Sequence, residues 1–177
     1  AGFKPENLNA ILEKCIRLIQ HHLEIHNIVL KEELNPDLPL IYCDTNQLQQ
    51  AFLAIAMNAV EAMPGGGTLK LRTTHRGAEG AVEVSISDTG IGIPEDILPK
   101  IFEPFFTTKS EGKGVGLGLS VAYGIVQRHE GRISVESKVN RGTTFTVVLP
   151  IEVHDKQDAT KGQSSPRKLT EEEMRNE

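Results

Sequence analysis

Leu8, Ile11, Leu12, Cys15, Leu18, Ile19 and Leu23 recur at helical spacing, and Pro5 suits a first turn, so the chain should open with a helix over 5–23. A strand is predicted over 28–34. Asn35-Pro36-Asp37 and Pro39 separate it from a second short strand over 40–43. Asp44-Thr45-Asn46-Gln47 has the pattern of a capping box. The helix it opens carries Leu48, Phe52, Ile55, Ala59 and Ala62 as one stripe, and Met63-Pro64 followed by Gly65-Gly66-Gly67 should end it. At about 100° per residue, Asn58 and Glu61 share a flank of that stripe with Ala54, where a helix borders a cleft.

Alternation then takes over. Strands are predicted over 68–76 and 81–88, joined as a hairpin by Gly77-Ala78-Glu79-Gly80. Pro94, Pro99 and Pro104 interrupt the chain after the second strand, with one helical turn around Ile97, Leu98 and Ile101. Residues 102–112 read as a long irregular segment holding Phe102, Phe105 and Phe106, the composition of a lid with a docked state. A helix is expected from Gly116 to about His129, ended by Gly131. Ile133, Val135 and Ser137, then Phe145, Val147 and Leu149, form a closing hairpin around Asn140-Arg141-Gly142. Residues 1–150 thus read as one domain, and 151–177 as a polar tail or linker without apolar periodicity.

Composition narrows the setting. A chain of 177 residues, 38% hydrophobic and 24% charged, fits one domain with a substantial core. A net charge of −5 does not favour nucleic acid. Cys15 and Cys43 form neither a metal spacing nor a disulfide framework, which predicts a reducing, cytoplasmic setting. The apolar run 51–57 is far too short to span a bilayer and no signal peptide leads the chain, although a longer parent protein could still be membrane-anchored. His21, His22 and His26 fall at or beyond the end of the first helix, where cations suit the dipole.

Two stretches carry candidate chemistry. Asp88-Thr89-Gly90-Ile91-Gly92-Ile93-Pro94 places a carboxylate at a strand end, and Gly112-Lys113-Gly114-Val115-Gly116-Leu117-Gly118-Leu119 places glycines where a loop becomes a helix. Such glycines let backbone N–H groups turn toward an anion, and the helix start adds positive dipole. The Walker A pattern fails, because Gly112-Lys113 is followed by Gly114, and the dinucleotide fingerprint fails at Leu119. Asp88 has three readings: a solvated turn residue, an aspartic-protease carboxylate, or an acceptor for the exocyclic amine of adenine. The predicted helices and Gly92-Ile93-Pro94 oppose the protease. Asn58, otherwise a boundary residue, becomes a magnesium ligand if phosphates lie beside it. Lys109 and Lys113 are either solvated charges or phosphate neutralisers.

Together, Asn58-Ala59-Val60-Glu61-Ala62, the Asp88 stretch, Ile101-Phe102-Glu103-Pro104-Phe105-Phe106-Thr107-Thr108-Lys109 and the stretch 112–119 resemble the N, G1, F and G2 boxes of histidine-kinase ATP-binding domains. The order matches, and Gly142-Thr143-Thr144-Phe145 is similar to that family's final hairpin. The likeness spans 4–150 and is nearest to the nitrogen-regulator and sporulation-type sensor kinases. It implies an α/β two-layer sandwich, with a mixed, mostly antiparallel sheet on three helices, shared with gyrase, Hsp90 and MutL and covered by a mobile ATP lid.

By that resemblance, Asp88 would bind adenine N6, with Gly90, Gly92 and Ile93 shaping the base pocket and Thr143 on the adenine side. Asn58 would ligate Mg2+, beside Glu61 and Ala62. Gly114, Gly116 and Gly118 would approach the phosphates of ATP, flanked by Gly112, Lys113, Val115, Leu117 and Leu119. Phe102 and Phe105 would brace the lid, and Thr107, Thr108 and Lys109 would reach toward phosphate. Two departures accompany it. Ala54 stands where this superfamily usually has Asn, His or Glu, one helical turn before Asn58. And none of His21, His22, His26, His75, His129 or His154 lies in a phosphoacceptor pattern such as His-Glu-x-x-Asn-Pro, so the acceptor hairpin is expected to be missing and no catalytic residue is assigned. The resemblance therefore implies an excised, monomeric catalytic domain of a homodimeric parent. Its partners would be the parent's dimerisation and phosphoacceptor hairpin and, downstream, a response-regulator receiver domain. The alternative is an adenine-nucleotide-binding sensory or docking module without phosphotransfer.

Overall fold

The computed structural model describes residues 2–106 and 118–152. In chain order the elements are β1 (Lys4–Glu6), α1 (Leu8–Ile25), β2 (Ile28–Glu33), β3 (Ile41–Cys43), α2 (Thr45–Glu61), β4 (Gly67–Arg76), β5 (Ala81–Asp88), α3 (Gly118–Arg128), β6 (Arg132–Lys138) and β7 (Gly142–Pro150). Three-residue 3-10 turns lie at Gly77–Glu79 and Leu98–Lys100. Five strands form one sheet in the order β2-β4-β5-β7-β6, and β1 pairs with β3 in a small second sheet. Among the described residues, only β2 against β4 is parallel; the other pairs are antiparallel. This is the expected mixed, mostly antiparallel sheet under three helices.

The two layers arise from alternation. Along β5, Val82, Val84, Ile86 and Asp88 face the helices, and along β7 Thr143, Phe145, Val147 and Leu149 do so. Strand register aligns these into rows. Thr73, Val84, Val147 and Ile133 make one, and Leu71, Ile86, Phe145 and Val135 make the next. Leu8, Leu12, Phe52, Ile55 and Ile125 close over these rows from the helical layer, each at most 1% exposed. Fully burying side chains of this size contributes about 1.5–3 kcal/mol each. The opposite face is polar, with Arg76 paired to Glu79 and Glu83, and Arg132 to Glu79.

Three local expectations are corrected. Pro5 lies in β1, where it pairs with Tyr42, and α1 starts only at Leu8. Asn7 is the N-cap, its side chain accepting the Asn9 N–H at 3.0 Å, so the first helical turn needs no proline. Leu18 is 53% exposed, whereas Ile16 is buried. The inward stripe runs through 8, 11, 12, 15, 16, 19 and 23, which leaves position 18 on its outer edge. The capping box at Asp44 is half made. Asp44 accepts the Gln47 N–H at 3.1 Å, but its own N–H is taken by His129 Nε2 at 3.1 Å rather than by Gln47.

His129 directly follows α3 and is 1% exposed. Its Nδ1 lies 2.8 Å from the Ile125 carbonyl, which can only accept. The ring is therefore neutral, protonated on Nδ1, with Nε2 receiving the Asp44 N–H. Phe3 lies against the same ring at 4.7 Å. One imidazole thus ties the end of α3 to the start of α2. Ile151 remains attached beyond β7, accepting the Tyr42 N–H at 2.9 Å and donating to Gly80 at 3.0 Å.

Candidate functional site

The last row of the sheet's inner face differs from those before it. Register places Leu69, Asp88, Thr143 and Ser137 side by side across β4, β5, β7 and β6. The apolar stripes of three adjacent strands therefore end in polar residues at the same edge of the core. Asp88 and Thr143 are nevertheless only 6% and 3% exposed. Burying polar groups away from water is costly unless they are hydrogen-bonded or serve a ligand. Asp88 accepts the Gly90 N–H at 2.8 Å. Burial pushes its carboxyl above the ordinary value of 3.8, while the Gly90 and Thr143 backbone N–H groups pull it part of the way back.

The turn after Asp88 is clamped on both sides. On one side, Ile91 donates to the carbonyl of Ala62, the cap of α2, at 3.0 Å. Here Gly90 is required for space, since a Cβ would sit 2.4 Å from that same carbonyl oxygen. On the other side, Asn140 donates to Ile91 at 2.8 Å, and Ile93 donates to Ser137 Oγ at 2.8 Å. Gly92 has φ +72°, and a Cβ there would stand 2.1 Å from the Lys138 carbonyl. Thr89 anchors the turn to β4 by accepting the Thr68 N–H at 3.0 Å.

Of the expected residues, the structure brings together Asp88, Gly90, Gly92, Ile93, Thr143 and Ala62. Asn58 is half-buried one helical turn before Ala62 on α2, and Glu61 is exposed beside it. Phe102 docks, its ring 5.4 Å from Tyr123 of α3 and 6.2 Å from Phe145 of β7. Phe105 projects away, 73% exposed. Gly118 and Leu119 open α3, and a Cβ on Gly118 would meet Ala54 at 3.7 Å, across the α2–α3 contact. Thr107, Thr108, Lys109, Gly112, Lys113, Gly114, Val115, Gly116 and Leu117 lie outside the described residues. Among the described residues, no group of three His, Cys, Asp or Glu side chains could hold a metal ion, and no helix is long and apolar enough to cross a membrane. A shallow concavity lined by Glu79, Ala81, Gly131, Arg132 and Pro150 lies at the far end of the same strands, where Ala81 pairs with Pro150.

Ser137 is the residue that sequence reasoning missed. It read simply as one more inward position of a strand, alongside Ile133 and Val135. The signal was there: it ends an apolar stripe with a polar residue, as Asp88 and Thr143 do.

Residues 43–153 match the model of the histidine kinase-, DNA gyrase B- and HSP90-like ATPase family. The chain is 39% identical over 149 residues to sporulation kinase E of Bacillus subtilis (strain 168), an alignment covering 84% of this chain and 20% of that kinase. It is 41% identical over 154 residues to the sensor kinase CckA of Brucella abortus (strain 2308), covering 80% of this chain and 16% of that protein. The chain thus spans a fifth or less of the length of these relatives. Among solved structures, the nucleotide-free catalytic domain of histidine kinase ThkA superposes with a TM-score of 0.75 at 33% identity, covering 85% of this chain and 99% of that one. Full-length ShkA in complex with AMPPNP gives 0.76 at 26% identity, covering 86% of this chain and 32% of that one. The chain therefore belongs to the histidine kinase-, DNA gyrase B- and HSP90-like ATPase family, as an ATP-binding domain of the sensor-histidine-kinase kind.

Proposed function

We propose that this domain binds Mg-ATP and presents the γ-phosphate to a histidine on a separate helical hairpin. The observation that carries the reading is the buried row Asp88–Thr143, ended by a turn that Gly90 lets pack against the cap of α2 and Gly92 against Lys138. A buried carboxylate that accepts from two backbone N–H groups retains acceptor capacity, which a base amine can fill. Asp88 would then hold adenine N6, with Thr143 beside it and Phe102 bracing the segment that comes after. Glu61, Ala62, Ile93, Gly118 and Leu119 complete the described part of the nucleotide site. Thr107, Thr108, Lys109, Gly112, Lys113, Gly114, Val115, Gly116 and Leu117 complete it on the phosphate side.

Asn58 fits the part of a magnesium ligand. Its amide offers one hard oxygen, and Mg2+ commonly takes one or two protein oxygens and fills its shell with water and phosphate. Magnesium would supply charge neutralisation at the phosphates, where positioning and electrostatics provide most of the chemistry of phosphoryl transfer. The chain's own share is to bind the base, orient the nucleotide and shield it.

The relatives support this reading by their names, which are those of sporulation and sensor kinases, and a ThkA structure holds that kinase in complex with the response regulator protein TrrA. For this chain we infer a monomeric, cytoplasmic domain over residues 1–150 with a tail over 151–177. The parent would be a homodimer whose hairpin carries the phosphoacceptor and whose product is read by a receiver domain. One observation favours the second reading, nucleotide binding without transfer: a methyl group, Ala54, faces the start of α3 where the superfamily usually offers a polar side chain. Mixing the domain with its separately made hairpin and radiolabelled ATP separates the two. Label on the hairpin histidine is expected; tight ATP binding with no transfer at any ratio of the domains overturns the kinase reading.

A further inference from the structure

Ser137 Oγ makes three contacts. It lies 2.8 Å from the Ile93 N–H, 3.0 Å from the Gly142 carbonyl and 2.8 Å from Thr143 Oγ1. A serine hydroxyl has one proton and two lone pairs. Ile93 can only donate and the Gly142 carbonyl can only accept. The Ser137 proton therefore goes to Gly142, one lone pair receives Ile93, and the other receives the proton of Thr143. No other assignment satisfies all three contacts.

The consequence falls on Thr143. With its proton committed to Ser137, its hydroxyl has only lone pairs left to offer, and it sits in register beside Asp88, whose carboxylate is also an acceptor. The two polar side chains that register places there, Asp88 and Thr143, thus both offer acceptors. The 6-amino group of adenine carries two hydrogens and complements such a pair, whereas a 6-oxo purine brings an acceptor against acceptors. We propose that Ser137 is a specificity-determining positioning residue, which acts through Thr143 to reject 6-oxo purines. The inference rests on the nucleotide-site reading above and deepens it.

The test compares ADP with inosine diphosphate, which differs at the 6-position and at the proton on the neighbouring N1, by calorimetry on the 177-residue chain. In Ser137→Ala the Thr143 hydroxyl is free to rotate and donate to a 6-oxo group. The preference for ADP should narrow roughly tenfold, the scale of one neutral hydrogen bond. Ser137→Thr keeps the hydroxyl and should restore the wild-type ratio. Thr143→Val should narrow the ratio as Ser137→Ala does, and the double variant should narrow it no further, because the two act as one unit. An unchanged ratio in Ser137→Ala overturns the proposal, as does an equal loss of both affinities, which marks a purely structural role. If Ser137→Ala does not fold, Thr143→Val and Ser137→Thr decide: an unchanged ratio in the former or a narrowed one in the latter overturns it. A wild-type chain that binds ADP no better than inosine diphosphate refutes the nucleotide-site reading itself, and this inference with it.

Discussion

Asp88→Asn separates binding from stability, because the same carboxylate affects the two in opposite directions. Asparagine keeps an oxygen for the Gly90 N–H, accepted at 2.8 Å in the native chain, and exchanges the second oxygen for an NH2 donor. A hydrogen bond to a charged group is worth about 1.5–3 kcal/mol, and about 1.4 kcal/mol is tenfold in Kd, so ADP should bind roughly ten- to a hundredfold more weakly. For the fold, what is at risk is the contact from the Thr143 N–H, the smallest of the three influences on the carboxyl, against the larger cost of burying a charge. Burial is the larger influence on Asp88 and holds its pKa above 3.8 in the folded state. Above 3.8 the folded chain therefore binds more protons than the unfolded chain, and stability falls as pH rises through that window. The deficit is complete above the folded pKa and absent below the unfolded one. Asparagine cannot ionise, so the variant should match or exceed wild-type stability at neutral pH, and any advantage should shrink on acidification. Calorimetry with ADP reads the first effect, and urea denaturation across pH reads the second. Undiminished affinity refutes the base assignment. A variant less stable than wild type at neutral pH, by a margin that does not grow on acidification, refutes the desolvation argument.

Gly92→Ala should destabilise the domain by at least about 1–2 kcal/mol, the cost of a left-handed backbone at a residue with a Cβ. The contact with the Lys138 carbonyl adds to this and should weaken ADP binding; an unchanged denaturation midpoint would count against the clamped turn. His129→Phe keeps a ring against Phe3 but strands the buried Asp44 N–H, and should cost about 1–3 kcal/mol in urea denaturation. Burial, the dominant influence, lowers the His129 pKa from 6.5; the Ile125 contact and Asp44 oppose it, and Arg128 adds to it. The contribution of His129 to stability is therefore full above 6.5 and declines as pH falls from there through the folded value. His129→Phe should remove that part of the acid slope, and an identical slope in wild type and variant would refute the neutral-imidazole reading.

Period was the most legible feature of the sequence. The spacing of two in Val82, Val84, Ile86 and Asp88, and of three to four in Leu48, Phe52 and Ile55, is imposed by which face each element buries, so strands and helices could be placed from it. Asp88, Gly90 and Gly92 were legible for a related reason: a turn that must pass close to other backbone admits few residue types. The misplaced features depend on partners distant in the chain. Pro5 suits a helix start by local rules, but β3 captures it as a strand. Leu18 fits a helical stripe as well as Ile16 does, and only the position of the sheet decides between them. Nothing beside His129 in the sequence announces a bond to a residue 85 positions away. Ser137 ends an apolar stripe with a polar residue, but only its pairing with Thr143 shows what that residue touches.

Helical period and long-range contact together give α2 its place in the site. Its carbonyl at Ala62 receives the Ile91 N–H, which ties it to the turn after Asp88. Asn58 lies one turn earlier, and Ala54 one turn before that, facing Gly118 where α3 begins. Residues four apart share a helix face, so one face carries the contact with the turn after Asp88, the candidate metal ligand and the contact with the start of α3. Eight residues at 1.5 Å each set the two ends roughly 12 Å apart. Ala54 is therefore more than a polar group left out. A methyl there, opposite a glycine, lets α3 approach closely, and a longer polar side chain at 54 would have to share that space with the backbone of Gly118. If α3 carries the phosphate loop, its distance from Asn58 is set at this contact, and the absence of a polar side chain and the proximity of the two helices have the same cause.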